Sequence, residues 1–117
     1  METGIVVANL GAIVTLLLGL LGLLAPSRAA TLTSIAPIGP DGRSEIRATY
    51  GGLFLGMGML CLLLQVEVVF ITIATAWFGA AAGRFISMLL DRNFSPKNLG
   101  GICFESVIGL LLTGASW

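Results

Sequence analysis

Four stretches of almost uninterrupted apolar residues, each near the length of a bilayer crossing, are separated by three polar interruptions. A transmembrane helix needs about twenty mostly apolar residues at ~1.5 Å rise each. On that measure the pattern predicts spans over residues 5–25, 46–64, 68–90 and 97–116. The expected fold is all-α: one integral membrane domain over 1–117, folded as a four-helix bundle with both termini on the same, outer side. Only Glu2, and no basic residue, precedes the first run, which is expected to be a true span and not a cleaved leader.

The interruptions differ in kind. PSRAATLTSIAPIGPDGRS is the only substantial connection, and Pro37, Gly39, Pro40 and Gly42 argue against a continuous helix through it. Residues 28–36 suit a short interfacial turn with Leu32, Ile35 and Ala36 toward lipid. Ser44 suits the N-cap of the second span, with Glu45 beside its positive end. The second interruption has neither glycine nor proline, so length decides it. One helix from 44 to 90 would run about 70 Å, more than twice the hydrocarbon thickness. The chain must therefore reverse at 65–67, where Gln65 and Glu67 are the polar residues available. In DRNFSPKN, Asn93 is expected to close one helix, Ser95 to cap the next and Pro96 to occupy its first turn.

Small residues recur every four positions or multiples of four. Gly11, Thr15 and Gly19 stripe the first span; Ala48, Gly52 and Gly56 the second; Thr75, Gly79, Gly83 and Ser87 the third; Gly101, Gly109 and Thr113 the fourth. In lipid, where apolar burial no longer drives association, such stripes let backbones approach closely. Packing inside the bundle and docking of another protein can coexist on different helices. Gly52, Gly56, Gly79 and Gly83 are the candidates for the packing or partner face.

Composition agrees with a membrane chain: 56% hydrophobic and 10% charged leaves too little charge to keep a soluble domain of this size wet. Six basic residues balance six acidic ones, which excludes a nucleic-acid footprint. There is no histidine, and the two cysteines lack CxxC spacing, so no catalytic, metal or cofactor site is expected, although lipid or pigment tails could fill gaps between helices. Cys61 and Cys103 are expected near opposite ends of their helices and not to form a disulfide. Arg28, Arg43, Arg47, Arg92 and Lys97 lie in or beside the first and third connections, whereas the opposite side carries no Lys or Arg. The positive-inside rule then places the basic connections in the cytoplasm and both termini outside.

Arg84 is a guanidinium within an otherwise apolar span, which costs a few kcal/mol unless it is paired. Glu105 sits on the fourth stripe between Gly101 and Gly109, and a short connection makes the two helices antiparallel neighbours. The two charges are thus expected at similar depth, as a bidentate pair. Glu45, Arg47, Tyr50 and Asp91 are expected to join Arg84 and Glu105 in one polar cluster at the cytoplasmic end. Such a cluster serves either as an interior clasp or as a site for an anionic head group, a small polar molecule or a partner's charged terminus. Asn9 and Gln65 are isolated polar residues near the outer side, expected to be hydrogen-bonded or interfacial.

SEIRATYGGLFLGMG, GRFISMLLDR and the later Glu105 together resemble a family of small bacterial four-span membrane proteins classed only as a domain of unknown function. Its members look alike in E-[IL]-R-A-x-Y-G-G at the start of the second helix, G-R-x-x-S-x-x-x-D on the third and a glutamate on the fourth. Here these are Glu45, Arg47, Ala48, Tyr50, Gly51 and Gly52, then Gly83, Arg84, Ser87 and Asp91, then Glu105. The layout is similar to that of DoxX-like four-helix proteins, some of which associate with quinone-linked oxidoreductases. The resemblance implies a bacterial inner membrane and a helical bundle, and no activity. The expected function is a non-catalytic accessory or stabilising subunit of a larger energy-converting or transport complex, with other membrane subunits and lipids as partners. A small carrier or a lipid- or quinone-binding protein using the polar cluster is the alternative.

Overall fold

The computed structural model describes residues 2–117, and no strand occurs among them. The chain is all-α, in five helices: α1 (Glu2–Leu24), α2 (Pro26–Leu32), α3 (Gly39–Leu64), α4 (Glu67–Leu90) and α5 (Pro96–Ser116). Four of them, of 23, 26, 24 and 21 residues, are long and apolar enough to cross a membrane. Their boundaries follow local chemistry. Glu2, Asp41 and Glu67 lie in the first turns of α1, α3 and α4, where a carboxylate meets the positive helix end. Ser95 caps α5, its Oγ accepting the Asn98 backbone N–H at 3.2 Å, and Pro96 follows in the first turn.

Three expected boundaries move. The second span starts at Gly39, with Ile38 and not Ser44 at the N-cap position. Pro40 sits in the first turn, where its missing N–H has no intrahelical partner to lose, and Gly39 takes a φ of +62° as the chain turns in. At ~1.5 Å per residue, this 26-residue helix is about 39 Å long, more than the ~30 Å of hydrocarbon, so it must tilt or carry its polar start into the headgroup layer. The helix in the first connection is Pro26–Leu32, because Pro26 ends α1 and begins α2. Arg92, not Asn93, takes the left-handed position after α4, at φ 51°. The Asn93 N–H then reaches back to the Met88 carbonyl at 3.1 Å, and the Asn93 side-chain oxygen accepts the Ser95 N–H at 3.3 Å. Asn93 is thus engaged on both sides of the connection.

Within α3, residues Arg47–Gly52 form a π-helical turn. Its hydrogen bonds skip one residue further than α-helical ones; the Leu53 N–H, for instance, returns to the Ala48 carbonyl. The wide turn holds one residue more than an α-helical path between the same ends.

The helices sort into two packed units, residues 12–64 and residues up to 11 together with 65–117. In the first, α1 and α3 are antiparallel and meet backbone to backbone. A Cβ at Gly51 would lie 2.8 Å from the Leu23 nitrogen, one at Gly58 would lie 2.6 Å from the Leu16 nitrogen, and one at Gly19 would lie 2.7 Å from the Leu55 Cα. Gly22 abuts the Tyr50 carbonyl in the same seam. Ala29 and Ala30 of α2 pack with Ile46, flanked by Leu21 and Tyr50.

In the second unit, α4 and α5 are antiparallel, with Phe70, Ala74, Trp77 and Ala81 of α4 buried along with Ile108 and Leu112 of α5. The Phe78 ring lies 2.6 Å from where a Cβ on Gly109 would be, and Trp77 and Phe104 meet edge to face at 6.4 Å. The start of α1 joins this unit through Gly4 against Gly114 and through Gly11 against Leu112. Both ends of the described chain therefore lie at one end of this unit.

Candidate functional site

Arg84 and Glu105 form the clearest polar feature. Arg84 Nε donates to Glu105 Oε1 and Nη2 to Oε2, both at 3.0 Å. This is the fork-to-fork geometry that suits a guanidinium and a carboxylate. Gly101 makes room for it. A Cβ there would lie 2.6 Å from Arg84 Nε and 2.7 Å from Cζ, so the guanidinium rests on bare backbone one turn before Glu105. The Glu105 side chain is 11% exposed and that of Arg84 36%, so the pair sits at the flank of the helix seam with the acid inside.

The other four residues expected in the same cluster have local attachments. On α4, Ser87 Oγ donates to Asp91 Oδ2 at 2.9 Å, one turn away, which occupies the last carboxylate of the helix. Arg47 donates through Nε to the Leu23 carbonyl at 3.2 Å. That oxygen belongs to the last turn of α1, where Pro26 has interrupted the hydrogen-bond ladder and a cation suits the negative helix end. Tyr50 packs its half-buried ring edge to face with Phe54 at 5.9 Å. Glu45 is exposed on the same helix. Glu45, Arg47 and Tyr50 belong to the unit of residues 12–64, and Arg84, Asp91 and Glu105 to the other.

A second polar pair was legible only as two isolated residues. Asn9 Nδ2 donates to Gln65 Oε1 at 3.0 Å, and Gln65 Nε2 returns a bond to Asn9 Oδ1 at 2.6 Å. Asn9 also donates to the Ile5 carbonyl at 2.9 Å. Gln65 has φ 53°, so the reversal between α3 and α4 is made by a left-handed residue whose side chain is anchored on α1. The signal was a pair of amides in otherwise apolar surroundings, 56 residues apart.

The glycines divide sharply. Gly51 and Gly58 carry the α3 contact with α1, while Gly56, Gly79 and Gly83 have nothing within 4 Å of an added Cβ, and Gly52 only the Arg47 carbonyl at 3.9 Å. The first stripe, Gly11, Thr15 and Gly19, is buried, as are Glu105 and Gly109 on the fourth. The second and third stripes turn outward, with Ala48, Gly52, Gly56, Thr75, Gly79 and Gly83 all exposed. Among the described residues no group of three Cys, Asp or Glu side chains is placed to hold a metal ion. Cys61 is buried and Cys103 exposed, and no disulfide joins them.

Residues 5–116 match the family described as a domain of unknown function, DUF4345. No curated protein matches the chain, and neither does any solved structure.

Proposed function

We propose that this chain, which belongs to the DUF4345 family, is a non-catalytic accessory subunit that stabilises a larger complex in a bacterial inner membrane. The observation behind this reading is the outward placement of small residues. Gly52 and Gly56 on α3, and Gly79 and Gly83 on α4, leave backbone uncovered where the fold itself asks for no close approach. In lipid, small-residue faces are where another helix can come near enough for dispersion contacts and Cα–H hydrogen bonds. The paired Arg84 and Glu105 support the same reading, because a fork-to-fork ion pair set on Gly101 is a clasp between α4 and α5. The basic residues of the first and third connections orient the chain with those connections in the cytoplasm and both termini in the periplasm.

The test is purification from native membranes in mild detergent. Gly52→Leu and Gly56→Leu are expected to release the subunit from its complex while the chain itself stays folded. If acyl chains alone cover these faces, both variants behave as the parent and the accessory reading fails. A chain that purifies alone, with saturable small-molecule binding abolished by Arg84→Ala, would establish the carrier reading instead.

A further inference from the structure

The connection between α1 and α3 exposes a set of side chains that water does not explain. Ile38 is 89% exposed, Leu32 62% and Ile35 39%, all within seven residues. These residues are held in place by backbone bonds. The Ile35 N–H bonds to the Ala30 carbonyl at 2.9 Å, and the Gly42 N–H bonds to the Ile38 carbonyl at 3.0 Å. A Cβ on Gly42 would lie 2.9 Å from the Pro37 carbonyl carbon, so the connection folds tightly onto the start of α3. Ala29, Ala30 and Ile46 fix α2 from beneath. The apolar residues are thus presented by an ordered segment whose own core is already filled.

Exposed cations flank them in sequence: Arg28 on α2 and Arg43 on the first turns of α3. The segment leaves one span at Leu24 and begins the next at Gly39, which keeps it at a bilayer surface. Aliphatic side chains beside arginines at that level match the acyl boundary and the phosphate layer respectively. We propose that residues 26–43 form a membrane-surface clamp. Leu32, Ile35 and Ile38 enter the acyl boundary, and Arg28 and Arg43 gather anionic phospholipid. This rests on the chain's lying in a membrane and not on the accessory role.

The test places photoreactive p-benzoylphenylalanine at Ile38, and separately at Asp41 as an exposed polar control, in the full chain. Each protein is irradiated in native membranes and in vesicles of phosphatidylethanolamine and phosphatidylglycerol. Position 38 is expected to give several-fold more lipid adduct than position 41, with phosphatidylglycerol enriched above its share of the vesicle. Arg28→Gln with Arg43→Gln should return the adducts to the bulk lipid ratio. Adducts to another protein at 38 in native membranes, or equal lipid labelling at 38 and 41, would overturn the clamp. Adducts in the bulk ratio before the arginines are changed would overturn their part in it.

Discussion

Arg84 and Glu105 are joined by two parallel hydrogen bonds of 3.0 Å across 21 residues of sequence, one partner on each of two antiparallel helices. Removing one partner leaves the other charge uncompensated within a spanning helix, which costs about 3 kcal/mol. Arg84→Ala and Glu105→Ala are each expected to lower the yield of folded protein, and the double variant to recover part of the loss. Strict additivity in that cycle would mean that the pair does not interact. Arg84→Lys keeps the charge but not the planar fork, and should fall between parent and alanine.

The division among the glycines predicts opposite outcomes for neighbouring residues. Gly51→Leu and Gly58→Leu drive a side chain into the backbone of α1 and should abolish folding. Gly56→Ala enters open space and should raise thermal stability, since alanine is favoured over glycine in a helix interior by about 1 kcal/mol. Thermal unfolding in detergent distinguishes them; equal losses at 56 and 58 would show that the α3 register is wrong.

Gln65 combines a left-handed backbone with an anchoring side chain. For a non-glycine residue that backbone costs about 1–2 kcal/mol, whereas a typical hydrogen bond contributes about 0.5–1.5 kcal/mol net. Gln65→Gly should therefore be more favourable in an Asn9→Ala background than in the parent, by what the bonds to Asn9 contribute. A gain of equal size in both backgrounds would show that the amide pair contributes nothing.

Cys103 is exposed and Cys61 fully buried. In detergent a maleimide should modify Cys103 first, and Cys61 only on unfolding. Comparable rates at the two thiols would contradict the packing of α3.

The proposed orientation rests on the distribution of basic residues and is tested by fusion. Alkaline phosphatase placed after Trp117 should be active, and phosphatase inserted near Gly42 inactive. The reverse pattern would invert the topology.

How much of this was legible in the sequence varies with how local the cause is. Span existence, the Ser95 cap and the reversal at Gln65 follow from apolar run length and short-range chemistry. The partnership of Arg84 with Glu105 followed from charge cost plus a short connection. The outward turn of the α3 stripe did not, because Ala48, Gly52 and Gly56 do share one face and their spacing does not say whether that face turns in or out. The seam glycines, 51 and 58, are seven apart, a spacing that keeps both on the one face that meets α1. On α4 the inward face sets Phe70 and Trp77 alternately with Ala74 and Ala81, and the stripe of Thr75, Gly79 and Gly83 lies off it.

The π turn also bears on how the gene can vary. A wide turn holds one residue more than an α-helical path between the same ends, so losing one codon within 47–52 would convert it to ordinary helix and leave residues from Leu53 onward facing as before. Anywhere else in a spanning helix, the same deletion would rotate all that follows by about 100° and turn packed faces toward lipid. One short tract of the second span is therefore open to single-codon length change, and it is the tract that carries Arg47, Tyr50 and Gly51 onto the end of α1.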